Sequence, residues 1–353
     1  MIGARSNRKL PTFAWRFIDL GERRLAITSP FGRQLEVRPA GDVARAFHAL
    51  PPEPAYPRAG GGETLPPPGG LALFEDTCSL GGGILIAANG GAVAESLVGV
   101  SESPKGGLSR REPDGALSLR LWPLTPMRRW TGDFIFLRQT RDEEDAVWLL
   151  ELLPRLAIAA RFCDLSQFKI VVSQRAAGNP QLVRDSLGLF GVRPERVLAI
   201  GPEPAFFQRL LFPMPVAHHP SGKSPGAMEV LEYLPARFPA APDAPERIFV
   251  TGRLPAADEE RLLHILQPWG FAPLDPARLD FSERARTFSR ARWIVSGGGG
   301  LANAAFAPRG VTLVQAGLTP GAETYFRDLA DVKQGRFVLL PHPGDAKALQ
   351  GSF

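Results

Sequence analysis

Gly297 to Gly300 stand where a buried strand runs into a helix, and they are the residues of this chain best suited to meet an anion. Glycine has no Cβ, so its backbone takes positive φ and lets another group come close. A glycine turn that opens a helix aims unpaired N–H groups and a positive dipole end at whatever lies above it, the usual way to hold a phosphate. The same four glycines also serve simply to let strand and helix pack closely, and both readings stay open. A dinucleotide fingerprint fails on spacing, because Asn303 stands where the third glycine of G-x-G-x-x-G must fall.

Three further residues extend this candidate anion site. Arg253, ending RIFVTGR, offers a planar donor fork to a phosphate, or is an exposed loop arginine. Asn303 contacts a ligand, contacts the loop, or stabilises the start of its helix. Gln315, near the end of VTLVQAG, brings one carbonyl acceptor and two donors. Candidate bases are fewer. His218 and His219 form a pair in the loop PVAHHPSGKSPG, where imidazole titrates near neutral pH, with Lys223 close by in sequence. Glu259 and Glu283 lie on amphipathic helical patterns, where a carboxylate is more often a solvated face. No third ligand stands at metal spacing beside the histidines, so no metal site is expected. Cys78 and Cys163 are the only cysteines, too few for a disulfide framework or a zinc site. No G-x-S-x-G elbow supports Ser-His-Asp hydrolysis.

These residues need elements to position them. Up to about Gly70 the chain is dense in Pro and Gly and reads as a strand or two with a long irregular connector. LALFEDTCSL, GGILIAANGG and AVAESLVGV read as short strands separated by glycine and Asn-Gly turns. LSLRLWPL and DFIFLRQT read as two more. EEDAVWLLELLPRLAIAARF is a helical pattern with acidic residues in its first turn and a break near Pro154. FKIVVS, RVLAIG, RIFVTG, the WIV run and VTLVQAG alternate with helices at 179–191, 258–267 and beyond the glycines. Alternation over more than 200 residues predicts an α/β fold with parallel sheets. Phe238–Pro245 is a Pro-rich linker that splits it in two.

With 44% hydrophobic and 22% charged residues the chain is globular rather than disordered. Its net charge of +5 suits anionic ligands such as nucleotide-sugars, or acidic membrane surfaces. No basic–aromatic stripe points to nucleic acid. No apolar signal region is evident near Met1, and WLLELLPRLAIAARF is too interrupted for a membrane span, so a cytoplasmic location is expected, with peripheral membrane contact left open.

In order along residues 70 to 340, the segments ALFEDTCSLGGGILIAANGGAVAES, VWLLELLPRL, RIFVTGR with DEERLLHIL, WGFAPLDPARLDFSERARTFSRARWIV and SGGGGLANAAFAPRGVTLVQ resemble glycosyltransferase family 61, the capsular polysaccharide biosynthesis type. The resemblance implies a GT-B-like fold of two Rossmann-like lobes with parallel sheets after a β-rich start. The expected divisions are an irregular region 1–69, an acceptor-side lobe 70–241 and a nucleotide-sugar lobe 242–353. It implies inverting, metal-independent transfer, with no cofactor, from a nucleotide-sugar to a polysaccharide or lipid-linked glycan. Arg253, Gly297, Gly298, Gly299, Gly300, Asn303 and Gln315 then fall on the donor side, and Trp148 and Arg155 on the acceptor side. Three positions depart from the family: Val147 and Gly297 replace histidines, and Gln315 replaces a glutamate. The rival reading is a degenerate member acting as a binding or assembly partner in polysaccharide synthesis. A nicotinamide-dependent oxidoreductase ranks third, for want of the glycine spacing and an acidic residue after the next strand.

Overall fold

The structure, a computed structural model, describes residues 26–28, 34–89, 92–98, 109–111, 117–119, 128–217, 222–238, 241–318, 322–342 and 344–345. The apolar runs bounded by Gly and Pro become strands of two large sheets. The first contains β1 (Ala26–Thr28), β2 (Gln34–Arg38), β3 (Ala46–Ala49), β4 (Gly70–Leu80), β5 (Ile84–Ile86), β6 (Ala92–Val93), β7 (Arg128–Phe136), β8 (Lys169–Ser173), β9 (Val197–Ile200) and β10 (Ala205–Pro213). Its spatial order is β1-β2-β6-β5-β4-β10-β7-β8-β9, with β3 also on β4. This sheet is mixed, a correction to the parallel sheets expected. Only β10, β7, β8 and β9 run parallel to their neighbours on that side, while β4 lies antiparallel to β10. The second sheet is parallel throughout, in the order β12-β11-β13-β14-β15: β11 is Arg247–Val250, β12 Ala272–Leu274, β13 Trp293–Ser296, β14 Thr312–Ala316 and β15 Arg336–Leu340.

Side chains alternate across a strand, and the parallel sheet is buried on both faces. Phe249, Val295 and Val314 point to a cluster with Leu262 and Leu266 of helix α2 (Ala256–Leu266; α1 is Leu153–Ala159). Ile248, Val250, Ile294 and Leu313 point the other way, to a cluster with Phe281 and Phe288 of helix α3 (Phe281–Phe288) and with Leu301 and Phe306. That second cluster also holds Trp148, Leu152, Leu156, Ile135 and Ile170, so one continuous apolar core joins elements of both sheets.

Local chemistry explains where the elements differ from the expected ones. Pro154 has no N–H to donate, and the turn before it widens. Trp148–Leu152 is a π-helical segment between α-helical Asp145–Val147 and Leu153–Ala159, with the Leu153 N–H donating to the Trp148 carbonyl. AVAESLVGV is a strand only at Ala92–Val93 and then a 3-10 turn over Ala94–Leu97. Side chains there take over backbone partners: Ser96 Oγ donates to Val93 O at 2.7 Å and accepts from Leu85 N at 2.9 Å. The helix expected at 179–191 spans Val183–Gly188, with Asn179 Oδ1 accepting from Leu182 N at 3.2 Å. No helix among the described residues is long and apolar enough to cross a membrane.

A buried polar chain ties the last helix, α4 (Ala322–Val332), to earlier segments. Lys223 Nζ donates to Asp328 Oδ2 at 3.0 Å and to Tyr325 O at 2.8 Å, and lies 3.8 Å from the Tyr325 ring centroid. Asp328 Oδ1 accepts from Tyr56 OH at 2.6 Å, and Tyr56 OH accepts from Lys223 N at 2.9 Å. Tyr325 OH donates to Glu151 Oε1 at 2.8 Å, and Gln139 Nε2 to Glu151 Oε2 at 2.6 Å. Burial pulls the Lys223 ammonium below the ordinary lysine range, and Asp328 opposes it. Lys223 is therefore a core residue.

Candidate active site

The loops after the carboxyl ends of the parallel strands converge on one cleft, the position where open α/β sheets bind ligands. Its wall includes Asp145, after β7; Asn179 and Gln181, after β8; Arg253, after β11; and Leu279 and Arg284, after β12. The cavity measures about 120 Å³.

Its charge is set by two arginines and one carboxylate. Arg253 Nη2 reaches Asp145 Oδ2 at 3.0 Å, and Arg284 Nη2 reaches the same oxygen at 3.1 Å. Gly252, at φ 76°, makes the turn that presents Arg253 after β11. Glu259 Oε1 holds that turn, accepting from Arg253 N at 2.8 Å and Leu254 N at 3.1 Å. Helix α3 presents Arg284, and a capping box starts it: Asp280 Oδ1 accepts from Glu283 N at 2.8 Å and Glu283 Oε2 accepts from Asp280 N at 3.0 Å. The Arg284 side chain is only 5% exposed. Burial draws its guanidinium below the usual arginine range, Asp145 pushes it back up, and neighbouring Arg253 lowers it again. Arg284 Nε donates to Asn303 Oδ1, and Asn303 Nδ2 donates to Gly300 O at 2.8 Å.

The candidates from sequence divide accordingly. Arg253 lies on the cleft. Asn303 is fully buried and orients Arg284 from behind, so it stands behind the wall rather than on it. Gly297 and Gly300 answer the packing reading. A Cβ on Gly297 would stand 2.6 Å from Arg253 O, and one on Gly300 would stand 2.1 Å from Ser296 Oγ. Gly298 takes φ 42°, and Gly299 faces open space. The helix they open is 3-10, Gly298–Phe306. Gln315 is fully buried beside Ser296 on the neighbouring strand, and its Oε1 has no hydrogen-bond partner.

Of the expected bases, Glu259 accepts backbone N–H groups through Oε1 and Glu283 accepts one through Oε2, each at a helix start. His218 and His219 lie outside the described residues. Trp148 and Arg155, expected on the acceptor side, have their side chains enclosed in the core. Trp148 Nε1 donates to Ser186 Oγ at 3.0 Å. Arg155 Nε donates to Pro213 O at 2.7 Å and Nη1 to Gln139 Oε1 at 3.3 Å, with burial pushing its guanidinium down to about 9. Val147 is buried as well. Sequence reasoning missed Asp145 and Arg284. The signal for Asp145 was the acidic run before Trp148, which had been read only as favourable charge in a first helical turn.

Residues 147–314 match the family model described as Glycosyltransferase 61. No curated protein matches the chain.

Proposed function

We propose that this chain is a member of glycosyltransferase family 61, whose model matches residues 147–314, and that it transfers a sugar from a nucleotide-sugar to a polysaccharide or lipid-linked glycan, with inversion at the anomeric carbon. The observation that carries this reading is the convergence of Arg253 and Arg284 on one cleft beyond the strand ends. Two guanidinium forks match the oxygens of a diphosphate and meet its growing charge as the bond from the anomeric carbon breaks. Cationic side chains thereby supply what a metal ion supplies elsewhere, and we propose that the transfer is metal-independent. Asn303 positions Arg284, and Gly299 is the glycine of the loop beside which an added side chain meets open space. His218 and His219 are the remaining candidates for the base that removes the acceptor hydroxyl proton.

We assign residues 242–353 to the donor lobe and 70–241 to the acceptor lobe of a GT-B-like arrangement, after an irregular 1–69. The two successive sheets, and a cleft drawing on loops from both, support this assignment. A second reading, a binding partner without turnover, is favoured by one observation: Val147 is a core residue and supplies no titratable group where the family has histidine.

A thermal-shift panel of nucleotides and nucleotide-sugars on the wild type, Gly299→Val and Arg253→Ala tests the proposal. A ligand at 100 times its dissociation constant stabilises the folded state by about 2.7 kcal/mol. The expected result is a shift with one nucleotide that both variants lose while remaining folded. No shift with any nucleotide refutes the donor site. A shift without transfer to any glycan acceptor supports the binding partner.

A further inference from the structure

We infer that Asp145 is an internal competitor for the anion site, a carboxylate that occupies Arg253 and Arg284 until a diphosphate displaces it. The inference rests on the reading of this cleft as a diphosphate site.

The geometry is that of a replaceable occupant. Both arginines share one oxygen, Asp145 Oδ2, at 3.0 and 3.1 Å. A carboxylate engages an arginine best through two parallel bonds, and sharing one oxygen between two forks gives up that arrangement. A diphosphate has enough oxygens to give each guanidinium its own pair. The Asp145 side chain is 17% exposed and that of Arg253 33%, so solvent and ligand reach the pair from the cleft.

The two arginines are anchored differently from the carboxylate. Arg284 keeps Asn303 as a second partner when Asp145 leaves. The backbone of Arg253 stays tied to Glu259. Asp145 has somewhere to go, since it begins the helical turn Asp145–Val147, whose N-terminal N–H groups favour a carboxylate in either position. A bound diphosphate and Asp145 cannot both hold these guanidiniums, because like charges at such distances repel strongly in a partly buried site. Binding therefore exchanges one anion for another. The ligand-free cleft is left with two cations and one anion, with less free charge to attract unrelated anions.

Titration calorimetry with inorganic pyrophosphate tests this on the wild type, Asp145→Asn, Asp145→Ala and Glu143→Gln. Glu143 is a neighbouring carboxylate paired with Arg175 at 3.3 Å, so its variant makes the same change in net charge away from the two arginines. The expected result is at least tenfold tighter pyrophosphate binding in both Asp145 variants and a much smaller change in Glu143→Gln. Unchanged or weaker binding in the Asp145 variants overturns the inference, as does an equal gain in Glu143→Gln. Pyrophosphate binding to the wild type with no gain at Asp145 sinks the inference and leaves the diphosphate site standing. Absence of binding to every form removes both.

Discussion

Alanine at Gly297 and alanine at Gly299 are the same chemical change two residues apart, and the structure assigns them opposite signs. At Gly297 the new Cβ would lie 2.6 Å from Arg253 O and 2.7 Å from Leu254 Cδ2. The leucine methyl can turn aside. The carbonyl cannot, because Glu259 pins the N–H groups of Arg253 and Leu254. Relief requires moving the loop and the Arg253 turn apart, an overpacking cost of about 1–3 kcal/mol. At Gly299 nothing lies within 4 Å, and φ is not in the left-handed region. Alanine there restricts the unfolded chain and stabilises by about 0.4–1 kcal/mol. Urea denaturation of the two variants reads the difference as midpoints displaced to either side of the wild type at unchanged slope. Gly297→Ala should also weaken nucleotide binding, because the displaced turn carries Arg253. Equal midpoints for the two variants would refute the claim that close approach to residues 253–254 is why position 297 is glycine.

Two further outcomes follow from buried groups. Lys223→Met leaves Asp328 a buried carboxylate with only the Tyr56 hydroxyl on its other oxygen, and should lose about 3–5 kcal/mol, measured by urea denaturation; a loss below 1 kcal/mol would mean that the ion pair is dispensable. Burial pushes the Cys78 thiol up to about 12 from its ordinary 9. The unfolded chain then releases this proton first, so stability from this group is intact below pH 9 and falls by about 1.4 kcal/mol per unit as pH rises toward 12. Cys78→Ala should flatten that part of the stability–pH curve relative to the wild type, and parallel curves would contradict the assignment.

The readable parts of the fold were those with local causes. FKIVVS, RVLAIG, RIFVTG and VTLVQAG are short apolar runs closed by turn residues, and each is a strand. Strand β10 was missed because Gln208 and Arg209 interrupt its apolar run, and its pairing with β7 and β4 is what makes it a strand. The parallel sheet was foreseen, but the mixed one was not, since strand direction depends on where the chain returns. At the site, Arg253 was visible as an arginine at a strand end. Arg284 was not, because FSERARTF places three charges on one helix and nothing local says which is buried. Glu283 and Glu259 qualify as possible bases on residue type alone, and only the fold shows one oxygen of each bonded to backbone.

The polar chain around Lys223 joins residue 56 to residue 328, and this sets an order of events during synthesis. As the polypeptide emerges, Tyr56, Glu151 and Lys223 are made long before Tyr325 and Asp328. Until Tyr325 and Asp328 are made, Lys223 lacks the carboxylate that makes its burial tolerable, and Glu151 has only Gln139. The apolar surface around Trp148 likewise waits for Leu301 and Phe306. The first sheet can pair its strands early, but its helical face closes only when the later segments dock, and until then the nascent chain presents an unfinished apolar surface.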